Sequence, residues 1–153
     1  MCIRDSLNLA QNRAEYTSSF VDDYGNSVLS GTPLAGVPEK LASAGAVWKH
    51  DGWRASLEGR FVGRQYIDLF AQGVTSHNVI GGHAIVNLGL SRLFALGSGS
   101  SNQSLKVGLN IDNLLDRRYL NTAFTDTDFN GNPFVRGVYG APRAISGSVS
   151  YGF

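Results

Sequence analysis

Three groups of residues have the types and spacing that could do chemistry. Asp126-Thr127-Asp128-Phe129-Asn130-Gly131 matches the opening of a calcium-binding loop, which offers alternate oxygen ligands to a hard cation. The match stops at the twelfth place, where Gly137 stands instead of a bidentate Glu, so a solvated turn is the expectation. Arg54, Glu58, Arg60 and Arg64 recur at even spacings, which puts them on one face if the segment is extended. They predict either a cross-paired polar wall or an electropositive track for anionic ligands, with Arg60 and Arg64 as contact candidates. His50, His77 and His83 lack the close spacing of a zinc site. The Gly/Ser-rich stretch Gly97 to Ser104 precedes a strand pattern and not a helix, so it does not read as a phosphate cradle. With no motif to anchor a nucleophile, the chain is expected to be no enzyme and to need no metal or cofactor.

The elements that must hold these residues are strands. In the final run Ile145, Gly147, Val149, Tyr151 and Phe153 share one face, and Ala144, Ser146, Ser148, Ser150 and Gly152 share the other. From Trp53 to Asp68 the set Trp53, Ala55, Leu57, Gly59, Phe61 and Gly63 opposes the charged set. Leu41 to His50 precedes it, joined through Asp51-Gly52, a strong signal for a tight hairpin because Gly accepts the positive φ of the turn. Val79 to Phe94 and Leu105 to Ile111 alternate likewise, and Leu7 to Tyr16 does so weakly. The pattern blurs from Asn113, as at a bulge or a strand end. About six antiparallel strands in an up-and-down meander follow.

One face of each strand is apolar and the other small, polar or charged, the lipid-out, water-in pattern of a membrane-spanning barrel. Turning the charged face of Trp53 to Asp68 outward would put several charges in the bilayer, at about 2–4 kcal/mol for each basic residue near the midplane. The charged face therefore lines a lumen. Trp48 and Trp53 stand together at the turn, where an interfacial aromatic girdle is expected. Long connections at 17–38, 69–77 and 120–142 alternate with short ones at 50–52 and 96–104, which predicts short turns and the C-terminus inside and loops outside. No apolar run reaches the roughly 18 residues of a transmembrane helix. Thirteen basic against twelve acidic residues give a formal charge of +1, with no basic stripe to bind nucleic acid. Cys2 alone forms no disulfide framework. The opening Met-Cys-Ile-Arg-Asp-Ser resembles translated sequencing-adapter read-through, so the domain is expected to span 7–153. No signal peptide is visible, and the true N-terminus of an exported protein is expected upstream. Six strands fall short of the eight at which bacterial barrels begin, so the chain is expected to be part of one.

Asn113-Leu114-Leu115-Asp116-Arg117-Arg118-Tyr119 resembles the Asn-Leu-Phe-Asp-x-x-Tyr signature near the C-terminus of TonB-dependent outer-membrane receptors, with Leu115 in place of Phe. Gly140-Ala141-Pro142-Arg143 resembles that family's Gly-x-Pro-Arg before the last strand, and Val62-Gly63-Arg64-Gln65-Tyr66 its Val-Gly-x-x-Tyr. Pro38 sits where a Pro often precedes a strand, and Phe153 resembles the terminal signal read by the barrel-assembly machinery. The resemblance implies the C-terminal portion of a 22-stranded transmembrane β-barrel in the outer membrane of a Gram-negative bacterium, with the plug domain and the TonB-contacting segment upstream. It also implies energy-coupled import of a scarce bulky nutrient, a ferric siderophore first, with partners in outer-membrane lipid, the TonB complex and a small-molecule ligand. Asn113 and Asp116 are expected to bond backbone groups freed at the outer rim, and Tyr119 to anchor at the interface. Phe124, Asp126, Phe129, Arg136 and Tyr139 are candidate ligand contacts on an outward loop.

Two other readings stay open on the sequence. A small non-transporting outer-membrane barrel needs two additional alternating runs before residue 38, where at most one is found. A soluble lipocalin-like barrel would turn the apolar faces inward, and strand phase alone does not separate the two.

Overall fold

Alternation of apolar and polar residues produces the main sheet directly. The computed structural model describes residues 1–21, 27–67, 79–96, 103–130 and 132–153, and among these there is no helix. Six long strands, β1 (Cys2–Gln11), β4 (Lys40–His50), β5 (Trp53–Val62), β8 (His83–Ala95), β9 (Ser104–Asp112) and β12 (Ala144–Gly152), form one antiparallel sheet in chain order. The meander expected from the period is thus the observed topology. Three small hairpins ride on the connections: β2 (Phe20–Val21) with β3 (Ser27–Val28), β6 (Gln65–Tyr66) with β7 (Val79–Ile80), and β10 (Leu120–Thr127) with β11 (Pro133–Tyr139). All three lie at one end of the sheet, because they interrupt the β1–β4, β5–β8 and β9–β12 connections. The other end carries the Asp51-Gly52 turn and the β8–β9 connection, which starts with the Leu96 N–H donated to the Gln103 carbonyl at 2.9 Å.

The register sorts side chains into two faces. Paired positions share a face, so the row Ser43, Arg60, Ile85 and the row Gly45, Glu58, Asn87 lie on one side, with Ser91, Gly108 and Ser148. The row Ala46, Leu57, Leu88, Ile111, Ile145 lies on the other. All six strands contribute to an open concavity of about 1000 Å³ on the polar side, lined by Arg4, Ser43, Glu58, Asn87, Asn110 and Ser146 among others. The sheet curves around its polar face. Among the described residues nothing covers the convex one: Leu57 is 49% exposed, Ile145 66% and Val149 72%. The buried apolar side chains among the described residues, Val28, Ile80 and Ala123, are in the hairpin layer, and none exceeds 98% burial. The sheet therefore has no core of its own to bury its apolar face.

Four details differ from the sequence expectation. β1 runs from Cys2 to Gln11, not Leu7 to Tyr16, with Ile3, Asp5 and Leu7 opposite Trp48, Ala46 and Ala44. β5 stops at Val62, although the Gly63 N–H still donates to the Lys40 carbonyl at 2.7 Å, so closely that a Cβ at Gly63 would sit 2.9 Å from that oxygen. Gly81-Gly82 likewise separates β7 from β8. Residues 120–142, expected as a loop, are mostly the β10–β11 hairpin. His77, Asp68 and most of Gly97 to Ser104 lie outside the described residues.

Candidate functional site

The densest polar construction starts where β9 ends. Asn113 and Asp116 adopt φ of 50° and 49°, the left-handed region that Asn and Asp tolerate better than other non-glycine residues. The turn this makes leaves backbone groups without ladder partners, and side chains take them up. Asn113 is 4% exposed; its Oδ1 accepts from the Arg117 N–H at 2.9 Å, while Nδ2 donates to the carbonyls of Arg117 at 2.9 Å and Ala141 at 3.0 Å. Its own N–H donates to Asn87 Oδ1 at 3.0 Å, and the next N–H, of Leu114, to the Val86 carbonyl at 2.7 Å. Asp116 Oδ1 accepts from the Arg143 N–H at 3.1 Å. One turn thus ties β8, β9, the entry to β10 and the chain leading into β12.

Tyr119 completes the clamp. Its ring stacks on His83 with centroids 4.1 Å apart, and its carbonyl accepts from the Gly140 N–H at 2.9 Å. A Cβ at Gly140 would fall inside the Tyr119 ring, so this position requires glycine for its close approach. The Tyr119 ring packs on His83, which shares the polar face with Val62. The sequence singles out His83 only as one of three histidines without zinc spacing and does not single out Asn87 as a site residue; the register brings both to the motif. Leu115 projects outward, 69% exposed, and Arg143 takes part through its backbone. Pro142 is exposed beside it, and Phe153 is fully exposed, its ring 6.3 Å from that of Tyr151.

The charged face divides. Arg54, Glu58 and Arg60 line up on β5 but form no ion pair among the described residues. Arg64 does not continue their row, because the chain leaves β5 after Val62. Its Nε instead pairs with Glu39 Oε2 at 2.8 Å, at the base of the β1–β4 connection. That hydrogen bond holds the Glu39 carboxyl below its usual range. A single track running from Arg60 to Arg64 is therefore not what the structure builds.

The β10–β11 hairpin packs one side and exposes the other. Ala123 is buried facing Gly137, and Gln65 Nε2 reaches the Asn121 carbonyl at 3.5 Å, which seats the hairpin on β6–β7. Phe124, Asp126, Phe134 and Arg136 share the outward side by register, with Phe124 opposite Arg136. Asp126 Oδ2 and Arg136 Nη1 are 3.0 Å apart. Tyr139 is 71% exposed at the hairpin base and Phe129 fully exposed at its tip.

Asp128 is occupied as a turn cap. Its Oδ1 accepts from the N–H groups of Asn130 and Asn132 at 2.9 and 2.8 Å, and Oδ2 accepts from Asn132 Nδ2 at 3.0 Å. These bonds, the Asn132 side chain foremost, depress the Asp128 carboxyl from its usual range. With Asp126 paired to Arg136 and Asp128 spent on the turn, the two carboxylates of the motif serve the end of the β10–β11 hairpin. No group of three or more metal-ligating side chains occurs among the described residues.

Comparison with protein-family models, with curated proteins and with solved structures found no match for this chain.

Proposed function

We propose that this chain forms six consecutive transmembrane strands at the C-terminal end of a 22-stranded TonB-dependent outer-membrane receptor, which imports a scarce bulky nutrient, a ferric siderophore first, with TonB-coupled energy. The observation that carries the membrane part is the uncovered apolar face. A sheet that curves around its polar side and leaves Leu57, Ile145 and Val149 bare matches a barrel wall in lipid, where hydrocarbon covers the outer face. A lipocalin-like barrel needs the opposite curvature. The receptor part rests on the resemblance of the Asn113 to Tyr119 turn and of Gly140 to Arg143, which join into one clamp in space.

In this reading outer-membrane lipid contacts the convex face, the barrel-assembly machinery engages β12 and Phe153, and the TonB complex engages a region upstream. Phe124, Asp126, Phe129, Arg136 and Tyr139 meet the ligand from the outer hairpin, and Arg60 faces its path. The test has two arms. Nitroxide labels at Leu57 and Val149 in vesicles should collide with oxygen dissolved in lipid, and labels at Ser56 and Ser148 with a water-soluble relaxant; the reverse pattern refutes the membrane reading. Cells carrying the chain in its upstream reading frame should take up a ferric chelate only with an energised inner membrane, and alanines across 120–139 should reduce it. Uptake that ignores both refutes the receptor reading.

A further inference from the structure

The convex face carries a cation that its apolar period does not explain. Arg92 stands on β8 opposite Trp53 and Val107, in the row that also holds His50 and Val149. Its guanidinium carbon lies over the Trp53 ring and over the Phe94 ring, 4.9 Å from each centroid. Among the described residues it has no carboxylate at ion-pair distance and makes no hydrogen bond. The Leu93 N–H donates to the Gly52 carbonyl at 2.8 Å, which fixes Arg92 at the turn end of the sheet. The row on one side of it along the strands is Trp48, Ala55, Leu90 and Leu109, all apolar.

A basic side chain on a lipid-facing strand is costly at the bilayer midplane and nearly free at the interface. The flanking aromatics mark that interface. Cation–π contacts hold the guanidinium while leaving its N–H fork unspent, and that planar fork matches two phosphate oxygens at once. We infer that Arg92, framed by Trp53 and Phe94, binds the phosphate of a phospholipid headgroup in the leaflet at the turn end, whose acyl chains run along Leu90, Ala55 and Leu57. The inference rests on the membrane reading above and adds a specific ligand to it. A free phosphate has no use for the apolar rows; a lipid needs both.

The test uses the full chain refolded in an uncharged detergent, with lipid retention read by native mass spectrometry. Dioleoylphosphatidylglycerol is the probe, dioleoylglycerol supplies the same chains without phosphate, and inorganic phosphate is the competitor. Arg92→Gln should weaken phosphatidylglycerol retention about fivefold, the usual worth of one basic residue at an anionic surface, and Arg92→Lys less. Lys106→Gln, which removes a charge from the opposite face at the same end, should change nothing. Equal retention by Arg92→Gln overturns the site, as does equal retention of dioleoylglycerol. Displacement by inorganic phosphate as effective as by the lipid makes it a free-anion site and overturns the lipid assignment. A nitroxide at Leu57, in a Cys2→Ser background, separates the two levels: lipid-accessible with no Arg92 effect refutes the headgroup site alone, and water-accessible refutes the membrane reading as well.

Discussion

Replacing Asn113 with alanine removes one acceptor and two donors from a residue that is 4% exposed. Each bond contributes about 1 kcal/mol net, so the three together account for about 3 kcal/mol. Alanine must also hold the φ of 50°, which costs a non-glycine residue about 1 kcal/mol or more. The expected loss is about 4 kcal/mol for Asn113→Ala and about 3 kcal/mol for Asn113→Gly, which loses the same bonds without the strain. The assay is urea unfolding of the full chain refolded in lipid vesicles, read by the fluorescence of Trp48 and Trp53. Those two residues sit at the far end of β4 and β5, so they report whether the clamp stabilises the whole sheet. A loss under about 1 kcal/mol for Asn113→Ala would show that the three bonds are readily replaced by water. A glycine variant no more stable than the alanine one would refute the strain component.

Gly140→Ala should destabilise by about 1–3 kcal/mol through overpacking against Tyr119, and a second change, Tyr119→Ala, should recover part of that loss; additive losses in the double variant refute the contact. Leu57→Arg should lower stability in vesicles by about 2–4 kcal/mol if its depth is near the midplane, while Ser56→Arg on the wet face should cost little; equal effects contradict the assignment of faces. The Glu39–Arg64 pair makes one end of the sheet sensitive to acid. Because the folded Glu39 carboxyl is depressed by Arg64, its contribution is fully present above the unfolded value and is lost as pH falls through the lower, folded one. Arg64→Gln should therefore return the Glu39 titration, followed by carboxyl NMR, to the ordinary glutamate range, and an unmoved midpoint rejects the pairing. Asp128→Ala should speed amide exchange at Asn130 and Asn132, whose N–H groups it accepts, and calcium should not slow it again; protection by calcium would revive the metal-loop reading.

The sheet was legible because a period of two is a strong signal wherever one face meets an apolar phase and the other water. β4, β9 and β12 emerge from their alternation with nearly their observed bounds. The same rule explains the misses. Alternation runs on through Phe61, Val62, Gly63 and Arg64, so it does not report that β5 ends at Val62 or that Arg64 pairs with Glu39. The β10–β11 hairpin mixes Phe124 and Phe134 with Asp126 and Arg136 on its outward side and buries the small Ala123 on the other, which leaves no clean apolar stripe to read. Cys2 to Ser6 resemble read-through in the sequence, yet in the structure they extend β1 in register with β4, Ile3, Asp5 and Leu7 facing Trp48, Ala46 and Ala44.

The Asn113 turn was legible as a motif but not as a clamp. Asn87, 26 residues earlier, and Ala141, 28 residues later, meet Asn113 only once β8, β9 and β12 are in register. Among the described residues the six-stranded sheet buries little apolar surface, so such junctions carry much of its order. The backbone groups just past β9 are where the ladder ends. Side chains that close those groups locally, as Asn113 and Asp116 do, fix the phase with which β12 returns to β9. Fixing that phase matters because a one-residue slip of β12 would turn Ser146, Ser148 and Ser150 to the apolar face of the sheet and Ile145, Val149 and Tyr151 to the polar one.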